Sequence, residues 1–211
     1  MKTTCRGVAA WISGTFLAVL IAGCSATQQE PAATAEPGPA TPAAPPPSSL
    51  PDGIPDPNGR SSRYTDLKDC RITTDKPEEA GYRVSECDGP APGYGVRLVE
   101  SDGRHNLFVR VPGGEFASLR LSGVSRGAFN GIAGPLEWRG PGEGDAFAPD
   151  TLVFRHEIAE DMQQPSRDTS YLIAVALGAQ SPCIADVIAP GPDQSAKARA
   201  VADSAPACRR D

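Results

Sequence analysis

The segment Gly123-Val124-Ser125-Arg126-Gly127 has the residue types of a serine-hydrolase nucleophile turn, in which glycines allow a sharp bend around a reactive serine. Such a serine needs a histidine to accept its proton and an acid to orient that histidine. His156 lies downstream, and Asp145 or Asp150 would complete the order serine, aspartate, histidine. A small hydrolase that uses Ser125 and His156 is therefore an alternative to be weighed.

The sequence around Ser125 does not favour this hydrolase. The nucleophile turn of that fold lies between a strand and a helix, whereas Ala128-Phe129-Asn130-Gly131 is typical of a loop. The chain also lacks the alternating strands and helices of an α/β fold. We therefore predict a glycine-rich loop at Ser125, no catalytic residue and a protein that is not an enzyme.

The acidic and glycine-rich segments carry no clear metal or cofactor signature. Glu143, Asp145 and Asp150 offer oxygen atoms to Ca²⁺, but their spacing is not that of an EF-hand loop. The glycine-rich run at 140–145 lacks the Lys-Ser/Thr pair of a phosphate-binding loop. No metal site and no cofactor are predicted.

Both histidines of the chain have structural explanations. His105 is expected to face Glu100 across a hairpin, and His156 falls on the apolar face of a strand. The two could approach each other across the fold, which the sequence alone does not settle. We expect His156 to lie in or near the core with one hydrogen bond.

The charge balance indicates that nucleic acid is not the partner. The chain has 20 Lys and Arg against 26 Asp and Glu. From Arg63 onward the counts are 17 and 22, a net charge of −5, and no basic cluster stands out. A nucleic-acid surface requires a concentrated positive patch.

The first 23 residues have the three parts of an export signal. Lys2 and Arg6 are basic, residues 16–22 are apolar, and small residues precede Cys24. The 17 uncharged residues from Gly7 to Gly23 fall short of the roughly 20 that cross a bilayer. The alternatives are an ordinary signal peptide and an uncleaved helix.

The run Ile21-Ala22-Gly23-Cys24 resembles the lipobox of bacterial lipoproteins. The resemblance implies that cleavage makes Cys24 the first mature residue, that Cys24 carries lipid and that the lipid holds the protein to a membrane. Because Ser25 rather than Asp follows, it also implies the outer membrane, facing the periplasm, in a Gram-negative cell. Two or more acyl chains give stable membrane binding.

The cysteine count agrees with export. Of six cysteines, cleavage removes Cys5 and lipidation uses Cys24, which leaves an even number for a compartment that permits disulfides. The four that remain are Cys70, Cys87, Cys183 and Cys208. Four cysteines allow three pairings, of which we favour Cys70–Cys87 and Cys183–Cys208. Their spacing, without C-x-x-C, argues against zinc.

Residues 24–62 form the predicted lipid anchor and a tether. Ten of the 22 prolines lie within 25–62, amid Ala, Ser and Thr, and there is no aromatic residue. Such a segment cannot bury enough apolar surface to offset its ordering entropy. We predict a disordered tether that reaches roughly 120 Å when fully extended.

The remaining residues, 63–211, are predicted to form one mainly β domain. Residues 94–101 and 104–111 alternate on either side of Asp102-Gly103, which favours a two-residue hairpin turn. Further strands are expected at 151–158, 171–177 and 183–188, and Asp193 begins a helix that Pro206 ends. The predicted fold class is a small antiparallel sheet, sandwich or partly closed barrel with one C-terminal helix.

This layout resembles small alphaproteobacterial exported proteins without an assigned function. The matching residues are Tyr64, Leu67, Cys70, Cys87, Gly89, Leu136-Glu137-Trp138-Arg139, Cys183, Ala202-Asp203 and Cys208. The resemblance implies a shared fold and brings no activity with it.

These observations predict a lipid-anchored cell-envelope protein with a binding or structural role. Its partners would be the membrane, through the lipid on Cys24, and an unknown envelope protein. Some periplasmic lysozyme inhibitors are small lipid-anchored β domains, so an inhibitor-type module is a further alternative by analogy alone.

Overall fold

A computed structural model describes residues 59–161, 163–164, 167–178 and 181–209. The predicted signal peptide (1–23), Cys24 and the tether as far as residue 58 lie outside the described residues. In chain order the elements are β1 (Arg60–Thr65), β2 (Arg71–Lys76), β3 (Tyr82–Asp88), β4 (Gly95–Ser101), β5 (Arg104–Arg110), β6 (Ala117–Ser118), α1 (Ser122–Ser125), β7 (Asn130–Pro141), β8 (Thr151–Ile158), β9 (Thr169–Ala176), β10 (Cys183–Ile188) and α2 (Gln194–Asp203).

The strands form two antiparallel five-stranded sheets. Sheet A has the order β1-β7-β8-β9-β10, and sheet B has the order β2-β3-β4-β5-β6. The inner faces of the two sheets share one core, which makes the domain a β-sandwich of unclosed sheets. The predicted mainly β class with one C-terminal helix is confirmed.

The β4–β5 hairpin has the predicted register. Ser101 pairs with Arg104 and Leu98 with Leu107. The turn requires a left-handed backbone at both central residues, and Asp102 and Gly103 have φ of 50° and 65°. A local turn signal therefore fixed a long stretch of sheet B.

The core explains the unbroken apolar sequence of β9. Ile173 and Val175 point between the sheets, whereas Leu172 and Ala174 point to the outer face of sheet A, under α2. The strand is covered on both faces, so the alternation of a half-exposed strand is absent. Trp138 of β7 is fully buried in the same core, and its indole Nε1 donates to Thr65 Oγ1 at 3.0 Å.

Strand β7 is the longest strand of the described residues. It spans 12 residues, and its pairing with β8 shifts between Ala133 and Glu137, across Gly134-Pro135. A proline within a strand is tolerated at such a bulge, because the bulged residue is outside the ladder. The Gly-Pro pair therefore interrupts the pairing within one continuous strand.

The folded domain begins at least three residues before the predicted boundary at residue 63. β1 starts at Arg60 and pairs with β7 from Arg60–Pro141 to Thr65–Leu136. Polar contacts hold this end, since the Arg60 guanidinium contacts Asp150 and Asp203. A hydrophobicity pattern carries no signal for such contacts.

Helix α2 covers the outer face of sheet A. Its buried face is formed by Ala198 and Ala202, as expected, but the helix ends at Asp203 rather than at Pro206. Asp193 is the N-cap residue, but its side chain makes no capping hydrogen bond. Gln194 instead holds the helix start, because its Nε2 donates to the carbonyl oxygens of Ser170 and Ile188.

Two disulfides join Cys70 to Cys87 and Cys183 to Cys208, so the prediction of disulfide bonds is confirmed. The first ties the segment before β2 to the end of β3. The second ties the start of β10 to the C-terminal segment, where the Arg209 N–H also donates to the Ile184 carbonyl at 2.8 Å. This pairing fixes the position of Arg209.

A buried charge cluster connects α2 to sheet A. Glu137 pairs with Arg139 at 2.9 Å, and Arg139 also binds both carboxylate oxygens of Asp203 at 2.7 and 2.8 Å. Arg60 and Arg199 complete the cluster through Asp203 and Glu137. Residues distant in sequence therefore meet under the helix.

The charge cluster shifts the pKa values of Arg139 and Asp203. Burial acts to lower the pKa of Arg139, but the hydrogen bonds and charges of Asp203 and Glu137 outweigh it and raise that pKa. Burial likewise acts to raise the pKa of Asp203, and the guanidinium groups of Arg139 and Arg60 reverse this and lower it. Both groups are therefore charged under ordinary conditions.

Candidate functional site

Ser125, the serine of the glycine-rich segment, is the last residue of α1, where a loop was predicted. Its side chain is buried, with 4% exposure, and its Oγ accepts from Asn130 Nδ2 at 3.3 Å. The left-handed backbone falls on Arg126 (φ 52°) rather than on Ser125. The position of strain thus differs from a nucleophile turn, in which the serine itself occupies the sharp bend.

Asn130 organises this region, although it belongs to no motif that would single it out. Its Oδ1 accepts from the His105 N–H at 3.1 Å, and its Nδ2 donates to Ser125 and to the Ala128 carbonyl. One buried amide thus connects sheet B, the loop after α1 and the start of β7. With these three partners, the buried Asn130 satisfies the hydrogen-bonding groups of this region.

His156 lies fully buried between the sheets. Its Nδ1 is 3.2 Å from the Gly131 carbonyl oxygen, which can only accept, so Nδ1 carries the proton. Its Nε2 has no hydrogen-bond partner among the described residues. Burial lowers the pKa of His156 to about 4, with a smaller contribution from His105, so the ring is neutral.

His105 pairs with Glu100, as predicted, through Nε2 and Oε1 at 3.1 Å. Its Nδ1 accepts from the Ile132 N–H at 3.1 Å, which connects sheet B to β7. Burial lowers the pKa of His105, and the Glu100 charge opposes that shift. The two histidines approach each other at Ile132, whose N–H donates to His105 and whose cross-strand partner is His156.

The structure does not assemble the hydrolase residues into one hydrogen-bonded set. Ser125 is bonded to Asn130 and His156 to Gly131. Asp145 lies exposed in a short 3₁₀ turn, and Asp150 is ion-paired with Arg60. The four side chains thus belong to separate local networks.

The candidate calcium ligands are equally dispersed. Glu143 and Asp145 are exposed near the 3₁₀ turn, while Asp150 is engaged by Arg60. Within the described ranges, no three His, Cys, Asp or Glu side chains are grouped so that they could hold a metal ion.

A long cleft lies between α1 and β10, which we call the arginine groove. It consists of two contiguous cavities of about 510 and 670 Å³. Both cavities are lined by Gly123, Val124, Val187 and Arg209. At one end the groove reaches Arg126, Glu160 and Tyr171, and at the other it reaches Arg120, Pro182 and Ile184.

Three exposed arginines, Arg120, Arg126 and Arg209, line this groove. None of them forms a salt bridge with a carboxylate in the part of the chain that the structure describes. The one acidic side chain of the lining, Glu160, accepts from the hydroxyls of Thr169 and Tyr171, both at 2.7 Å. These hydrogen bonds lower the pKa of Glu160 and keep it ionised.

The backbone at two of these arginines is strained. Arg120 and Arg126 flank α1 and have φ of 53° and 52°. A left-handed residue other than Gly costs about 1–2 kcal/mol, and Gly is the usual residue at such a helix end. Strain of this kind is concentrated at functional sites. Ala80, Asp102 and Ala205 also have left-handed backbones, so this strain does not distinguish the two arginines.

The fold and this groove define a disulfide-bonded β-sandwich with a cleft lined by three arginines. Comparison with protein-family models, curated proteins and solved structures found no match for the chain. Neither helix of the described part is both long and apolar enough to cross a bilayer.

Proposed function

We propose that the protein is a lipid-anchored component of the bacterial cell envelope whose β-sandwich is a non-enzymatic binding module. The lipobox at Ile21-Ala22-Gly23-Cys24 and the tether support the anchor. The two disulfides are compatible with an exported domain. With Ser25 after the lipidated cysteine, the proposed location is the outer membrane, facing the periplasm.

The arginine groove is the observation that carries the binding role. Its three arginines have no salt-bridge partner among the described carboxylates, although the chain has more acidic than basic residues. Arg139, by contrast, is paired with carboxylates in the buried cluster. Cationic side chains held in a cleft are instead suited to an external anionic partner.

The anchor predicts a specific effect of Cys24→Ser. Removing the thiol removes the site of lipid attachment, so the variant should leave the membrane fraction when expressed in a Gram-negative host. Cell fractionation, with a wash at high salt to remove peripheral proteins, measures this. The wild-type chain should stay in the detergent-soluble membrane fraction.

Cys5→Ser is the matched control, because Cys5 is removed with the signal peptide. This variant should fractionate as the wild type does. If the wild-type chain in the membrane fraction instead keeps residues 1–23, the anchor is an uncleaved helix and the lipoprotein proposal is wrong.

A further inference from the structure

We propose that the arginine groove binds an extended acidic peptide segment of another envelope protein. This inference rests on the proposed binding role and adds the chemistry of the partner. The carboxylates of the segment would pair with the three arginines. Its apolar side chains would pack on Val124, Ile184 and Val187, which are partly buried along the floor.

Charge is the first argument for an acidic partner. A guanidinium offers five N–H donors and binds a carboxylate through two parallel hydrogen bonds. Arg120, Arg126 and Arg209 are all exposed on the groove and form no salt bridge with a described carboxylate, although the charge of Arg126 acts on Glu160 in the same lining. The rest of the domain is acidic on balance, so an acidic segment would be drawn to the groove and repelled elsewhere.

Shape is the second argument, and it favours a peptide chain. The two cavities overlap at four residues, so together they form an elongated cleft rather than a round pocket. An extended chain presents alternate side chains to opposite sides. One side could therefore contact the apolar floor while the carboxylates of the segment reach the arginines.

Other anionic partners fit the groove less well. Nucleic acid binding uses aromatic side chains as stacking platforms, and Tyr171, the one aromatic residue of the described lining, has its hydroxyl bonded to Glu160. An anionic bilayer surface could contact the exposed arginines, but a flat surface would not reach Val187 and Ile184 on the floor.

Recognition should occur through side chains rather than by addition of a strand. The pairing of β10 with β9 shifts between Ile184 and Asp186, and bulges of this kind protect sheet edges from pairing. The Ile184 carbonyl is moreover bonded to the Arg209 N–H. Side-chain contacts in the groove therefore carry the affinity.

The test begins with an unbiased library of displayed random 12-residue peptides, panned against the full-length chain purified from membranes in detergent. The library should enrich peptides with net negative charge and interspersed apolar residues. Binding of the enriched peptides, measured by fluorescence anisotropy, should weaken as ionic strength rises. Enrichment of neutral or basic peptides would overturn the proposal.

Two groove variants then locate the site. A Cβ added at Gly123 meets nothing within 4 Å, and Gly123 lines both cavities of the groove, so Gly123→Trp should fill the groove without disturbing the fold. Arg120→Gln/Arg126→Gln removes two charges. Each variant should weaken binding of the enriched peptides by about ten- to a hundredfold. Gly123→Trp would block the contacts with the apolar floor, and the double arginine variant would remove charged hydrogen bonds.

Matched controls test position and charge separately. Gly191→Trp also adds a side chain in open space, away from the groove, and Lys76→Gln/Arg83→Gln removes two exposed, ion-paired cations. Both should bind the peptides as the wild type does. Equal binding by the groove variants and the wild type would contradict the site.

Vesicles with anionic phospholipid provide the remaining comparison. If they bind the chain and lose binding with the same groove variants, the partner is a membrane surface and the peptide assignment is wrong. Peptide binding in detergent does not need the anchor, whereas fractionation of Cys24→Ser does not need the groove. A failure of the peptide test is thus distinguishable from a failure of the lipoprotein proposal.

Discussion

Replacing Arg139 by methionine is expected to lower the free energy of unfolding by about 3–5 kcal/mol. The Arg139 side chain is buried and binds two carboxylates, those of Glu137 and Asp203. Without it, Glu137 keeps Arg199 and Ser62 as partners among the described residues, and Asp203 keeps Arg60. The cost is large because two carboxylates lose hydrogen bonds at a site where water does not replace those bonds.

Urea unfolding followed by circular dichroism measures this change. Arg83→Met is the matched control, because Arg83 makes a solvent-exposed pair with Asp75 and such pairs contribute at most about 1 kcal/mol. Arg139→Lys should also be destabilising, since an ammonium group cannot reproduce the two parallel bonds to Asp203. An Arg139→Met variant within 1 kcal/mol of the wild type would show that the cluster does not hold α2 in place.

Acidification from pH 7 to pH 4.5 is expected to remove on the order of 2–3 kcal/mol of stability, mainly through His156. The pKa of His156 is about 4 in the folded domain and near 6.5 in an unfolded chain. The unfolded state therefore takes up a proton first as the pH falls. The stability contributed by the neutral buried ring is complete above pH 6.5 and declines towards pH 4.

Comparison of the wild type with His156→Leu isolates this effect. The variant loses the bond to Gly131 and should be less stable at pH 7, but its stability should change less between pH 7 and pH 4.5. The lowered pKa of Asp203 acts in the same direction only below about pH 4, as the unfolded carboxyl protonates. Identical slopes of stability against pH in both proteins would contradict the buried, neutral state of His156.

Local signals in the sequence predicted much of the fold. The Asp102-Gly103 turn determined the register of β4 and β5, and the alternation of Leu152, Phe154, His156 and Ile158 identified the buried face of β8. The disulfide pairs joined cysteines close in the chain. Each of these features depends on residues within about one supersecondary unit, where pattern and geometry are directly related.

Long-range polar contacts could not be predicted in the same way. Arg60 reaches Asp203 across 143 positions of sequence. The groove likewise joins residues near α1 to β10 and to Arg209, and neither segment has an anion-binding motif. The sequence drew attention to Ser125, whereas the structure buries that serine and exposes its neighbour Arg126. Only the packing of α1 beside β10 brings the three arginines into one cleft.

Site-specific photocrosslinking in membranes tests the proposed binding role most directly. A photoreactive amino acid at position 123 would project into open space in the groove, and the same residue at position 191 is the control outside it. The lipid-anchored chain should crosslink an envelope protein from position 123 and not from position 191, with the attachment site in an acidic segment of that partner. Equal labelling from both positions, or no crosslink from position 123, would contradict a binding module that acts through the arginine groove.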